Sequence, residues 1–280
     1  MIQPLIVLTN DDGIASPGLA AAAAALAPLG ELLIVAPAFQ QTSMGRSRTQ
    51  QGGLDGRLFP AIVRYGDRAW PGVAANATPA LAVEHALLEL APRPVSLVVS
   101  GINYGENVST CVTVSGTLGA CFEAAERGIP GLGVSLETEA MQYYEHDADV
   151  DFSAAAHFVA LFARRVLASL RDHDSTSAQA ALPPDVDVLK VDVPRDATRA
   201  TPWRITRQDR LSYYTPLRPG RADPYSGPGP ITMRVAKGCY SAEDTDAWAL
   251  AHGLVSVTPL SLDLTSRVPF GMLAAFLGGS

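Results

Sequence analysis

A chain of 280 residues, 48% hydrophobic and 18% charged, is built to bury a sizeable core, which excludes a disordered segment. Its formal net charge of -7, with no dense cluster of Lys and Arg, excludes a nucleic-acid polymer as partner. A small anion is still acceptable, because a metal ion and helix N-termini can supply positive potential within one cleft.

Leu5-Ile6-Val7-Leu8 is a short apolar run with branched side chains, the pattern of a strand buried on both faces, and it stops at Thr9-Asn10. After an acidic turn, Ser16-Pro17 reads as N-cap and first helical position of an alanine-rich helix to Ala27, able to lie close on a sheet. Pro28 and Gly30 end it, and 32–35 is a second buried strand. The strand-helix-strand unit recurs as a helix over 79–90, strand 96–99, helix 116–127 and strand 131–135, followed by an amphipathic helix over 152–170 and a strand over 186–193. The expected fold is therefore α/β, a Rossmann-like three-layer parallel sheet with helices on both faces. Over 194–240 the pattern changes to Pro, Gly, Arg and Tyr with short β-prone stretches at 203–206 and 231–234, read as a protruding β-hairpin or subdomain that serves oligomer contacts. A helix over 245–252, a strand over 254–257 and an apolar helix over 270–277 complete the chain. The expected division is a core over 1–193, the protruding region over 194–240 and a segment over 241–280 that returns to the core.

In an open parallel sheet, ligands bind beyond the carboxyl ends of the strands, and polar residues after three of the apolar runs stand out. Asn10-Asp11-Asp12-Gly13 places adjacent carboxylates where the first strand has ended and Gly13 permits a sharp turn. Oxygen ligands of this kind suit Mg²⁺, Mn²⁺ or Ca²⁺; helix capping is the plainer alternative, and the repulsion between two neighbouring aspartates favours a cation. The loop 36–47 after the second strand offers hydroxyls, Gly45 and the arginines Arg46 and Arg48, which an ordinary polar loop would also contain. The loop 100–107 supplies Asn103 and Asn107, and Ser115-Gly116-Thr117 opens a helix whose free N–H groups suit a phosphate, or simply an N-cap.

At these residues the chain resembles the SurE family, the survival-protein-E group of metal-dependent 5'/3'-nucleotidases. The resemblance is carried by Thr9 to Gly13 with Ser16-Pro17-Gly18, Val35-Ala36-Pro37, Ser100 to Asn107, Ser115 to Ala120 with Glu123, and Gly253 to Leu260, in family order along nearly the whole chain. It implies Asp11, Asp12 and Asn103 as ligands of a divalent metal, Mg²⁺ or Mn²⁺ first, with a hydroxyl from the second loop as the fourth. By loop spacing the family's serine falls on Thr42, and Ser43 takes the place of a glycine, so either hydroxyl is a candidate ligand. Asn107, Ser115, Gly116 and Thr117 match phosphate-surrounding positions, to which Asn10 and Ser43 are added; Asp11 or Asp12 would also orient the attacking water. Departures are Ala38 for the family's Asp, Ala77-Thr78-Pro79 for Gly-Thr-Pro, Lys190-Val191-Asp192-Val193-Pro194 for Asn-Val-Asn-Val-Pro, and Ser266-Arg267 where some members carry His.

The implied substrate is a small phosphate ester, a nucleoside 5'- or 3'-monophosphate, and the implied assembly a homodimer or homotetramer. A non-catalytic nucleotide-binding protein on the same scaffold, or a phosphatase specialised for a biosynthetic ester, are the alternatives. No Gly-x-Ser-x-Gly elbow and no Gly-x-Gly-x-x-Gly fingerprint follows a strand, and none of the five histidines forms a metal pair at i, i+4 spacing. Cys111, Cys121 and Cys239 lack a Cys-x-x-Cys spacing, the first apolar run is too short for a signal peptide, and no run of about 18 apolar residues occurs, so a cytoplasmic protein without a membrane partner is expected.

Overall fold

The computed structural model describes residues 3–139, 149–172 and 182–278. Six strands run parallel at its centre, in the spatial order β4 (Arg68–Ala75), β2 (Glu31–Pro37), β1 (Leu5–Thr9), β5 (Leu97–Tyr104), β6 (Gly131–Leu136) and β7 (Val188–Val193). Antiparallel β3 (Leu58–Tyr65) closes one edge; beyond β7 lie β11 (Val255–Leu260), antiparallel to it, and the short β8 (Trp203–Ile205). A separate antiparallel pair, β9 (Tyr214–Pro216) with β10 (Met233–Val235), forms the hairpin expected toward the C-terminus. The α/β reading holds, as a nine-stranded, mostly parallel sheet; β8, within the region read as protruding, joins its far edge.

Burial of β1 on both faces follows from helices on both sides. Ile6 and Leu8 meet α1 (Pro17–Leu26) and α4 (Ser153–Asp172), whereas Leu5 and Val7 meet α2 (Pro79–His85) and α3 (Gly116–Glu126), the period-2 alternation of a strand. In α1 the alanines Ala20 to Ala23 are all buried, so the helix lies close to the sheet. By length and composition alone α4 could cross a membrane, but Phe158, Val159, Phe162, Ala163 and Val166 are buried in the core against the sheet. The helix read over 79–90 is α2 continued by a π-helical turn over 86–90. The C-terminal part supplies α5 (Asp246–Ala251) and α6 (Phe270–Phe276), the latter with no buried residue.

The hairpin of β3 and β4 carries no expected element, and its prolines are the reason. Pro60 is accommodated on an edge strand, and Pro71 lies just before Gly72, where pairing with β2 begins, so the missing N–H falls outside that ladder. The strand read over 96–99 extends to Tyr104 through an irregularity. Gly101 has φ 133°, the Gly101–Ile102 peptide is cis, and the pairing with β6 shifts register between Gly101 and Asn103. A Cβ at Gly101 would lie 2.3 Å from the Val134 carbonyl oxygen, so only glycine fits. The shift brings Asn103 to the carboxyl edge beside β1, where the chain order reverses from β2 on one side of β1 to β5 on the other.

Candidate active site at the carboxyl edge of the sheet

The acidic turn is built by Asn10 and Gly13. Asn10 accepts from the Gly13 N–H at 3.1 Å through Oδ1 and donates to the Gly13 carbonyl at 3.1 Å through Nδ2, and Gly13 holds φ 96°. Asn10, grouped above with the phosphate-binding residues, is fully buried and braces this turn. Asp11 and Asp12 emerge from it side by side, both buried. Asp11 Oδ1 accepts from Thr117 Oγ1 at 2.6 Å, and Asp12 accepts from the Tyr104 N–H at 3.1 Å through Oδ2 and from Gln40 Nε2 at 3.3 Å through Oδ1. Burial pushes the Asp11 carboxyl up to about 6 against the lowering effect of the Thr117 bond. Burial, reinforced by the Asp11 charge, puts Asp12 well above the ordinary carboxylate range.

The other predicted residues come from three further segments. Asn103 donates twice through Nδ2, to the carbonyls of Tyr104 at 3.1 Å and Gly105 at 2.6 Å, which leaves its amide oxygen as the atom for a cation. Asn107 donates to Ser135 Oγ at 2.9 Å and at a long 3.4 Å to Thr117 Oγ1. Ser115 caps α3, accepting from the Leu118 N–H at 3.2 Å. Gly116 packs so tightly that a Cβ there would lie 2.7 Å from Asp11 Cβ and Oδ2, which presses the N-terminus of α3 onto the carboxylate. Thr42 and Ser43 are exposed at a tight turn, tied to the acidic segment by the Gln41 N–H on the Asp11 carbonyl at 2.7 Å. Ser43 has φ 62°, the conformation that suits the glycine of the family pattern.

The sheet edge thus brings together Asp11, Asp12, Asn103, Asn107, Gly116 and Thr117. The donor set fits a hard divalent cation: two carboxylates crowded in a buried site that favours their neutral forms, beside an amide oxygen. Among the described residues no cluster of three or more His, Cys, Asp or Glu could hold an ion, and beside the two aspartates it is the neutral oxygen of Asn103 that is available to one. Arg46 and Arg48 turn away, to Glu123 and Glu126 of α3; Arg46 Nε lies 2.9 Å from Glu123 Oε2 and Arg48 Nη2 2.6 Å from Oε1. Arg267 is exposed on the C-terminal segment, and His146 and His173 lie outside the described residues.

Sequence reasoning missed the layer behind the site. Gln40 touches Asp12, Ser135 holds Asn107, and the buried Lys190, Asp192 and Asp246 support the loop after β5. The signal available for Lys190 and Asp192 was two charges on one face of a strand otherwise patterned for burial; Asp246, following Thr245, carried only the signature of a helix start.

The family model described as Survival protein SurE matches residues 6–215. The 5'-nucleotidase SurE of Thermococcus gammatolerans is 39% identical over 98% of this chain and 96% of its own length, and that of Thermococcus kodakarensis is 39% identical over 95% of each. The crystal structure of the SurE protein from Aquifex aeolicus superposes with a TM-score of 0.70 at 28% identity, covering 98% of this chain and all of that one. The acidic turn after β1, the Asn103 loop and the α3 N-terminus that meet at one sheet edge, together with similarity along nearly the full length, establish that the chain belongs to the SurE family.

Proposed function

We propose that this chain is a divalent-metal-dependent phosphomonoesterase hydrolysing nucleoside 5'- or 3'-monophosphates. The observation that carries the reading is the convergence of Asp11, Asp12 and Asn103 with the α3 N-terminus, in a chain 39% identical over nearly its full length to relatives named 5'-nucleotidase. Asp11, Asp12, Asn103 and the hydroxyl of Thr42 would hold Mg²⁺ or Mn²⁺. When bound, such an ion polarises a phosphoryl oxygen and lowers the pKa of a coordinated water. Thr117 fixes the Asp11 carboxylate through its hydroxyl, and one carboxylate of the pair orients the attacking water. The N–H groups at Gly116 and Thr117, with Ser115, receive the phosphoryl oxygens, where the helix dipole favours negative charge. Asn107 can exchange its long contact with Thr117 for a phosphate oxygen, and Ser43 lines the entrance.

A homodimer or homotetramer is part of the same reading, supported by the wholly exposed apolar α6 and by Tyr225, Ile231 and Met233 around the hairpin. The free thiols of Cys111, Cys121 and Cys239 support a reducing, cytoplasmic setting. Phosphate release from a panel of nucleoside monophosphates, with and without EDTA, tests the function. Activity is expected to vanish in chelator, to return with Mg²⁺ or Mn²⁺, and to be absent in folded Asp12→Ala. Turnover that persists in EDTA, or an Asp12→Ala chain as active as the parent, overturns the scheme.

A further inference from the structure

β7 runs between β6 and β11, yet Lys190 and Asp192, two residues apart on one face, are both fully buried. Lys190 Nζ pairs with Asp192 Oδ2 and, at 3.0 Å, with Asp246 Oδ2 at the start of α5. Burial works against this ammonium, but the two carboxylates outweigh it and hold the group above the ordinary lysine range. The carboxylates in turn collect four backbone N–H groups. Asp192 Oδ1 accepts from Asn107 at 2.7 Å, Asp246 Oδ2 from Ser109 at 3.0 Å, and Asp246 Oδ1 from Asp209 at 2.9 Å and Ala247 at 2.8 Å.

Two of those four amides, Asn107 and Ser109, belong to the loop that follows β5. The Asn107 side chain leads from there to Ser135 and Thr117, and Thr117 to Asp11. We infer that Lys190 is a positioning residue for this loop: its Nζ bridges Asp192 and Asp246 and holds their carboxyls as the acceptors that clamp the Asn107 and Ser109 amides, and so sets Asn107 and Thr117 against Asp11. Without the ammonium, two carboxylates would face each other in the sheet interior, and a proton or a water would displace the clamp. Lys190 and Asp192 together occupy the places of two neutral amides in the Asn-Val-Asn-Val-Pro pattern, so the positive charge arrives with its own counter-charge. The functional consequence rests on reading the loop as phosphate-binding.

Hydrogen exchange of the substrate-free chain, combined with steady-state kinetics, tests the inference. In the parent, the Asn107 and Ser109 amides are expected to exchange as slowly as those of the core strands; fast exchange there overturns the clamp and needs no variant. In Lys190→Met, exchange over 104–109 is expected to rise while β1 and the first half of β5 keep their protection. Its kcat should fall about 10–100-fold, the cost of a displacement of order 1 Å at the site, with KM changing less. The neutral pair Lys190→Asn with Asp192→Asn is expected to recover most of both readouts. Parent-like exchange and kcat in Lys190→Met, or protection lost evenly through the sheet with kcat per folded molecule intact, overturns the inference. Because exchange is read without substrate, a parent chain that releases no phosphate sinks the nucleotidase reading and still leaves the clamp decided.

Discussion

Gly116→Ala is the smallest change that separates the site from the stability of the fold. Gly116 is the first residue of α3 and is not in the left-handed region, so the backbone accepts alanine; the obstacle is space. The new methyl would lie 2.7 Å from Asp11 Cβ and Oδ2 and 3.0 Å from Cγ, closer than side-chain carbons approach in folded proteins. Asp11 has little room to retreat. Thr117 holds its Oδ1 at 2.6 Å, and the Gln41 N–H holds its carbonyl at 2.7 Å. Either the carboxylate or the first turn of α3 must therefore move by something of order 1 Å, which at a reacting centre costs about 100-fold in kcat/KM. Overpacking costs about 1–3 kcal/mol, offset by about 0.4–1 kcal/mol because alanine restricts the unfolded chain. At about 2–4 °C per kcal/mol, Tm should fall by no more than about 10 °C. Nucleotide hydrolysis under saturating Mn²⁺ and calorimetry on the same preparation read both effects. A folded Gly116→Ala chain with parental kcat/KM would show that the helix N-terminus and Asp11 do not act as one unit.

Three further outcomes follow from the same geometry. Thr117→Val removes the 2.6 Å donor to Asp11, and a loss of about 10–100-fold in divalent affinity is expected, with Thr117→Ser close to the parent; a metal titration followed by thermal shift decides, and parental affinity in the valine variant refutes the role. Ser43→Gly should retain activity and change stability between zero and about 1 kcal/mol in its favour, since a φ of 62° costs serine about 1–2 kcal/mol and glycine's chain entropy returns about half; a clearly lower Tm would contradict it. A carboxyl whose pKa is raised by folding binds more protons folded than unfolded, so in EDTA the Asp11 contribution to stability should be lost as pH rises from about 4 through about 6. The melting shift produced by added divalent ion should therefore be larger at pH 7.5 than at pH 5, and equal shifts at the two values would count against these carboxylates as the metal site.

Strands β1, β2, β5 and β6 were legible because they begin as, or consist of, short apolar runs that stop at polar residues. The acidic turn at Asp11 and Asp12 stood out for the same reason, since it lies just past the first run, whereas Thr117 was signalled by the helix start at Ser115-Gly116. The edge hairpin over 58–75 was hidden by Pro60 and Pro71, whose tolerance depends on which neighbour each strand finds. Asn10 was grouped with the phosphate-binding residues, and the two bonds to Gly13, which sequence does not reveal, give it a part in shaping the turn. Gln40 and Asp246 act across long sequence separations, on Asp12 and on the Ser109 amide, and no local pattern encodes such a contact.

The distribution of charge around the site explains how an acidic chain can receive an acidic substrate. Arg46 and Arg48 are engaged by Glu123 and Glu126, and Lys190 by Asp192 and Asp246, so each of these basic groups is matched by its own carboxylates. Asp11 and Asp12 lie beside the α3 N-terminus, in a buried setting that already disfavours their charged forms when no cation is present. On the proposed function, recognition of the anion would be conditional on the same cation that relieves the repulsion between the two aspartates. On the loop-clamp proposal, the buried Lys190 pairs would serve this arrangement by fixing the loop that carries Asn107 while keeping their positive charge matched by Asp192 and Asp246.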